Sequence, residues 1–460
     1  ALWLFAIAYF SFRSYRKIKT ANDYIFAGSK IGVFIGLLTF AATLFSAFTF
    51  MGMPDFFREH GVGSWIFLAI SDAGMFFFIL WFGHKLREQG TARGYRGVAR
   101  LMNQCYESRW PGYLYFAAIF LFLVPYMAVQ IRGIAIFFNA IFPEALPYWG
   151  WITLIVTIIL IYTQIGGLRA IIYSDSLQAL VLLFVIWIIG LTCLKNAGGL
   201  TSLFEQVKQS NEALLSIPGP KGLLTFQFLV ISFWSIIMLP VTQPQITTRL
   251  IIMESEEKMH RMAVSLGVFA FLVLVPTIFI GLYGAINYGH AQPNEFLSEV
   301  LLFEQSDIIA ALAVIGLLAA SISTADSQIF ALSTEFRSLM EGDEKRIMLY
   351  TRLAIIFFGI FTLVFSIVTT DQLVLLARVS FVGTSIMGPM IIAGIFSKRK
   401  IGKEIIWATL ISLVLFIASQ ANIIPASVLG VRLDMVIVVF VIIFTLLSVF
   451  LRKSYAEKSF

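Results

Sequence analysis

The sequence predicts an all-α membrane protein built as an inverted five-plus-five helix repeat with additional helices. Three observations predict it. The chain of 460 residues is 59% hydrophobic and only 13% charged, against about 25% charged in ordinary soluble domains. Apolar runs of bilayer length, roughly 17 to 25 residues, recur from end to end. Two of these runs, five apart in order, are interrupted by Pro and Gly among hydroxyls and amides. This composition excludes a soluble enzyme and a nucleic-acid module, and it makes residues 1–460 one membrane domain.

The opening ALWLFAIAYF has about ten apolar residues before RSYRKIK, too short to cross a bilayer. It reads as the end of a span whose start is missing, because no small-residue cleavage site follows it. Twelve spans are then expected near 32–53, 63–83, 112–141, 149–165, 169–193, 223–247, 263–287, 307–335, 347–368, 373–396, 404–420 and 433–451, about thirteen helices in all. The first repeat covers about 32–193, the second about 223–396, and accessory helices about 404–451. In the loop from 194 to 222, Leu200, Leu203, Phe204 and Val207 share one helical face, the pattern of an amphipathic helix lying on the membrane. The segment NEFLSEVLLFEQ is expected to do the same.

Charge fixes the orientation. About 26 of the 33 Lys and Arg fall at 13–30, 85–109, Arg169, 249–261, 337–352, 398–403 and 452–458, all on one side if the first of these loops is cytoplasmic. The net charge of +7 therefore needs no nucleic-acid partner. Cys105 and Cys193 fall on opposite sides of the membrane, so no disulfide joins them. His60, His84, His260 and His290 lack ligand-type spacing.

The first span, LLTFAATLFSAFTFMGMP, packs Thr43, Ser46, Thr49 and Gly52 into its centre and ends on Pro54. The sixth, FWSIIMLPVTQPQITTR, carries Pro240 and Pro244 beside Thr242, Gln243 and Gln245. Proline removes a backbone donor and clashes with the preceding turn. The freed carbonyls survive in a membrane only where they face protein or a polar cavity. Broken helices at repeat-related positions are the mark of a transporter whose binding site lies near the bilayer midplane.

In the eighth span, Ala320, Ser323, Thr324 and Ser327 follow i, i+3, i+4, i+7 and line one face. The Ala320 carbonyl and the hydroxyls are hard, uncharged oxygen donors, suited to a small hard cation. If the first span unwinds near Phe45, the carbonyls of Ala42 and Phe45 complete about five oxygens, a cage that fits a monovalent ion better than a divalent one. Alternatively, such hydroxyls back-bond to their own helix or join neighbouring helices. Asp326 resists that account, since an Asp at mid-bilayer costs about 2.5 to 3.5 kcal/mol. Asp175 in GGLRAIIYSDSLQ is a second acid within a span. The two are candidates for a second cation site, a proton site or a way station for the departing ion, or for structural pairing, in Asp175 with Gln178 or a helix terminus. Arg132, beside Gln130, suits a substrate carboxylate or a buried acid equally. Arg378 is expected to snorkel, and Asp72 has no obvious partner in the sequence.

Four segments carry a resemblance to a known family: TANDYIFAGSKIG, FSAFTFMGMPDFFREHG, GGLRAIIYSDSLQ and AASISTADSQ. With them the chain resembles the sodium/solute symporters, the family of proline, pantothenate, sugar and sialic acid carriers. The stretch QPQITTR is similar to a QPHI-type stretch of proline carriers, with Gln245 in place of the His. The resemblance implies a LeuT-type core working by alternating access. It also implies a sodium site made by the carbonyls of Ala42, Phe45 and Ala320 with the hydroxyls of Ser323 and Thr324. A second sodium of some members would lie near Asp175, Ser323, Asp326 and Ser327, where Asp326 replaces a Ser. Ser46, Thr49, Gln130, Trp234 and Gln243 would face the substrate.

The expected function is sodium-coupled import of a small organic solute, with Arg132 pointing to a carboxylate such as an amino acid or monocarboxylate. The sodium ion and the solute are the partners, without covalent catalysis, and the location is a cell membrane, expected to be a bacterial inner (plasma) membrane. Rival readings are a sugar-type symporter and a membrane sensor joined to signalling modules, which a C-terminus longer than RKSYAEKSF would revive. A channel does not call for two broken repeat helices. A membrane enzyme lacks any nucleophile arrangement within the spans.

Overall fold

The computed structural model describes residues 31–163, 168–397 and 401–457. The expected opening half-span lies outside the described residues, as do the basic loop at 13–30 and residues 398–400. The first interrupted span is α1 (Val33–Leu44), a π-helical turn (Phe48–Gly52) and α2 (Met53–His60). There follow α3 (Trp65–Arg93), α4 (Val98–Tyr106), α5 (Trp110–Ile141), α6 (Tyr148–Thr163) and α7 (Leu168–Asn196), then the loop helix α8 (Leu200–Asn211). The sixth span is divided into α9 (Phe226–Ile237), α10 (Leu239–Thr242) and α11 (Pro244–Ile251). After it come α12 (Glu256–Asn287), α13 (Pro293–Ser298), α14 (Asp307–Ser338), α15 (Glu344–Val368), α16 (Leu373–Ser385), α17 (Gly388–Phe396), α18 (Glu404–Gln420) and α19 (Leu433–Glu457). The strands among the described residues are a two-residue hairpin, Ser427–Val428 with Val431–Arg432.

Among the described residues, eight helices are long and apolar enough to cross a membrane, or nine when α1 and its bent continuation count as one span. Shorter apolar helices stand at Tyr148–Ile161, Phe226–Ile237 and Glu404–Gln420. Each of the twelve expected segments that follow the opening half-span is helical over its described residues, and among these residues length and apolarity mark eight or nine full spans.

The middle of the molecule is α14, packed against α7, α5, α1 and α11. Close approach is bought with glycine: a Cβ on Gly133 of α5 would lie 2.9 Å from the Cβ of Ala47, in the gap of the first span. One on Gly281 of α12 would lie 2.5 Å from the Cβ of Phe57 and 2.6 Å from the carbonyl of Pro54 on α2.

Two loop expectations are corrected. Leu203 and Val207 of α8 are fully buried in a satellite core with Leu214 and with Leu282 of α12, while Leu200 and Phe204 face outward. The helix is docked on protein by half of its apolar face. In NEFLSEVLLFEQ, Phe296, Leu297, Val300 and Leu301 are fully buried in the main core, so this segment is an inserted plug and does not lie on the surface.

Candidate functional site

The first and sixth spans break with nearly the same backbone. Phe45, ending α1, is extended (φ −90°, ψ 115°), and so is Gln243 between α10 and α11 (φ −100°, ψ 117°). At the first break the chain bends by 61°. The helical ladder stops where Phe45 N–H donates to Ala41 O at 2.7 Å. Beyond it, Thr49 and Phe50 N–H both turn to Ser46 O, at 2.9 Å each, so Thr49 leaves the Phe45 carbonyl that a continuous helix would have bonded.

The face of α14 predicted from its hydroxyl spacing meets this break. Ser323 Oγ donates to Ala42 O at 3.0 Å and to Ala320 O at 2.9 Å, and Thr324 Oγ1 donates to Ala42 O at 3.2 Å. Ala42, Ala320, Ser323 and Thr324 are all essentially inaccessible to solvent. Two segments separated by about 280 residues thus place four oxygens without formal charge around one point.

One turn further along α14 the chemistry changes. Asp175 of α7 accepts at Oδ2 from Thr39 Oγ1 of α1 at 2.8 Å and from Arg249 Nη2 of α11 at 3.0 Å. The same Nη2 donates to Ser327 Oγ at 2.6 Å, and Nη1 to Gln245 O at 2.8 Å. Arg249, 2% exposed, heads the fully buried large side chains. It corrects two expectations: it is not a loop cation, and Asp175 pairs with it and not with Gln178 or a helix terminus. Asp326, 3% exposed, has no partner at Oδ1.

The substrate-side residues divide. Ser46 and Gln130 come together across the break: Gln130 Nε2 donates to Ser46 Oγ at 3.2 Å, and Ala47 N–H donates to Gln130 Oε1 at 3.2 Å. Tyr126 Oη, which the sequence reading missed, donates to Leu44 O at 3.1 Å. Thr49 Oγ1 and Gln243 Nε2 are buried without a partner, and Gln243 Oε1 accepts from Gln245 Nε2 at 2.6 Å.

Arg132 pairs with an acid, one of its two expected partners, and Trp234 lines an apolar cavity. Arg132 donates Nε and Nη2 to Asp371 Oδ1, at 2.8 and 2.5 Å, and Nη1 to Ser366 O at 2.6 Å, so its fork is taken by an acid of the chain. Trp234 lines an apolar cavity of about 290 Å³ with Pro389, Phe396 and Leu446, between α9, α17 and α19. Arg378 does not snorkel: it is 8% exposed, pairs with Asp434 at 2.7 Å and donates Nε to Ser232 Oγ at 2.7 Å.

Further residues hold helix ends from a distance. Arg87 of α3 donates to the carbonyls of Leu250, Ile251 and Met253, covering the C-terminus of α11. Glu335 of α14, 1% exposed, accepts the N–H groups of Val98 and Ala99 at 2.9 and 2.8 Å, capping α4 from a distant segment.

Comparison with known proteins agrees with this geometry. The model of the sodium:solute symporter family matches residues 24–412. Over 342 residues the chain is 25% identical to the sodium/pantothenate symporter of Haemophilus influenzae, covering 73% of this chain and 69% of that protein. It is 24% identical to the sodium/proline symporter of Salmonella typhimurium over 353 residues, 72% and 68% of the two chains. To the sodium/sialic acid symporter SiaT of Proteus mirabilis it is 24% identical over 462 aligned positions, 91% and 87%. The solved substrate-bound, outward-open structure of a Na+-coupled sialic acid symporter superposes with a TM-score of 0.77 at 18% identity, covering 98% of this chain and 96% of that one. MhsT in complex with L-phenylalanine gives 0.54 at 15% identity, covering 91% and 98%. These likenesses show the fold, an all-helical LeuT-type transporter architecture.

Proposed function

Because the chain belongs to the sodium:solute symporter family, we propose that it couples sodium entry to uptake of a small organic solute through the two broken spans. Sodium binds between the carbonyls of Ala42, Phe45 and Ala320 and the hydroxyls of Ser323 and Thr324. The observation that carries this reading is the convergence of Ser323 and Thr324 on the Ala42 carbonyl at 3.0 and 3.2 Å. Ser323 donates to that carbonyl and to Ala320 O, and Thr324 donates to it as well. A cation of suitable size turns the hydroxyl oxygens and the carbonyl toward itself and ties α1 to α14. Binding then favours one arrangement of the broken helix, which is how an ion shifts a conformational equilibrium.

At the second cation position, near Asp175, Asp326 and Ser327, the guanidinium of Arg249 stands in for an ion. What supports this is its place between Asp175 Oδ2 and Ser327 Oγ. A chain with its own cation there moves one sodium per cycle. One charge crossing about 100 mV releases about 2.3 kcal/mol, and about 1.4 kcal/mol is tenfold, so a single sodium concentrates a neutral solute roughly fifty-fold from the potential alone.

Ser46, Thr49, Gln130 and Gln243 form the polar lining for the solute beside the break, with Thr49 Oγ1 and Gln243 Nε2 offering unpaired groups. Residues of about 32–193 and 223–396 act as the two repeats, and those of about 404–451 as accessory helices. The membrane is a bacterial inner membrane, a reading supported by the bacterial source of the named relatives. Purified protein in liposomes, given an inward sodium gradient and radiolabelled proline, pantothenate or sialic acid, is expected to accumulate solute with a sodium to solute ratio of one. Accumulation that persists when potassium or choline replaces sodium would refute the coupling.

A further inference from the structure

Between α4, the start of α5 and the end of α14 lies a cavity of about 730 Å³. We propose that it binds a phospholipid headgroup carrying both a phosphate and a primary ammonium, the ethanolamine type. The site is separate from the two broken spans and does not depend on which solute is carried.

The cavity lies at the depth of lipid headgroups. α5 has 32 residues, about 48 Å at about 1.5 Å per residue, against a hydrocarbon core of about 30 Å. Its first turns therefore stand outside that core, on the side of the basic loops at 85–109 and 337–352. Trp110 and Tyr113 face outward there, as aromatic residues do at a membrane interface. Tyr113 also lines the cavity, and so do the rings of Phe116 and Phe336, whose centroids lie 5.3 Å apart and join α5 to α14. A lipid can thus offer its phosphate to polar groups and its glycerol to these rings.

The charges of the wall choose the headgroup. It carries two cations and two anions, Arg100 and Arg109 with Glu107 and Glu341. Among the described residues no hydrogen bond or ion pair holds the Arg109 side chain. Arg100 stands 3.7 Å from Glu341, beyond hydrogen-bond length, so its planar fork remains available to phosphate oxygens. Asn103 accepts the Gly112 N–H at Oδ1 at 2.8 Å, which orients the amide and leaves Nδ2 as a further donor. A headgroup with a phosphate alone would bring a like charge to Glu107 and Glu341. One that adds an ammonium matches both signs, and a primary ammonium has N–H donors for the carboxylates where a trimethylated one has none. The site also sits on a joint. Glu335, near the end of α14, caps α4 through Val98 and Ala99, next to Arg100. A bound headgroup therefore ties α4 and α5 to the helix that carries Ser323 and Thr324.

The test is thermal unfolding of the purified protein in detergent. The probes are dioleoyl-phosphatidylethanolamine, -phosphatidylglycerol and -phosphatidylcholine, added at equal mole fraction, and O-phosphoethanolamine, the soluble headgroup. The ethanolamine lipid should stabilise the wild type most. Arg109→Ala should raise the amount of that lipid needed for half of the stabilisation by about tenfold, through loss of one charge-assisted phosphate contact. Glu341→Gln keeps the phosphate contacts and removes one partner of the ammonium, so it should bring the ethanolamine and glycerol lipids within about twofold of each other. Arg109 and Glu341 are both exposed, so both variants should fold. A glycerol or choline lipid that stabilises the wild type as well as the ethanolamine lipid would overturn the assignment, and so would an ethanolamine preference untouched by both substitutions. Stabilisation by O-phosphoethanolamine equal to that by the lipid would overturn it too, by making the cavity a site for soluble phosphoesters.

Discussion

Two polar clusters occupy successive turns of α14 and handle charge in opposite ways. At Ala320, Ser323 and Thr324, the helix meets the broken α1 with carbonyls and hydroxyls only. At Ser327 it meets Asp175 and Arg249, a fully charged pair with no exposure to speak of. On the proposed reading the neutral turn takes an exchangeable sodium ion, whereas at the charged turn the protein's own cation, carried on α11, stands between Asp175 and Ser327. The same helix face builds both.

The largest effect should come from removing the tethered cation. Arg249→Ala leaves Asp175 buried without its counter-charge, and breaking a buried pair by deleting one member costs about 3–5 kcal/mol. The midpoint of thermal unfolding in detergent is expected to fall sharply. Arg249→Met combined with Asp175→Asn should recover most of that loss, since replacing both charges removes the unpaired one. If Arg249→Ala unfolds no earlier than the wild type, or is stabilised further by sodium with a steeper dependence, the cluster is an ion site after all and the contrast between the two turns collapses.

A smaller effect is expected at the neutral turn. Ser323→Ala and Thr324→Ala each delete one oxygen that touches the Ala42 carbonyl at 3.0 or 3.2 Å. In the empty cage each hydroxyl contributes about 0.5–1.5 kcal/mol as a hydrogen bond, so unfolding should shift little. The sodium concentration for half-maximal uptake should rise by roughly three- to tenfold, where about 1.4 kcal/mol is tenfold. Uptake measured across a sodium series checks this, and unchanged dependence in both variants removes the hydroxyls from the cage.

The neutral turn was legible in the sequence because both of its halves leave local marks. Hydroxyls at i+3, i+4 and i+7 from Ala320 announce a face of α14, and small residues with Pro54 announce the weak point of α1. The charged turn was half legible: Asp175 and Asp326 stand out in apolar runs, but Arg249 sits at the edge of its span, where an arginine reads as a loop cation. Only the packing of α11 between α1, α3 and α14 shows that it is enclosed. Which of its two expected partners Arg132 takes could not be read, because Asp371 lies more than 200 residues away. Glu335 left no mark at all near α4, since its cap comes from another helix.

Arg132 offers the mildest and most discriminating variant. Its guanidinium is 6% exposed but its partner Asp371 is 25% exposed, beside an outer cavity of about 520 Å³ lined also by Arg58, Lys221 and His290. A pair open to water on one side contributes about 0.2–1 kcal/mol, so Arg132→Ala should cost little stability. Because its donors are already spent on Asp371 and Ser366 O, apparent solute affinity should stay within about twofold, with any loss appearing in the maximal rate as α5 loosens from the start of α16. A tenfold loss of affinity would mean that the Arg132–Asp371 pair opens and that Arg132 takes an anionic group of the solute.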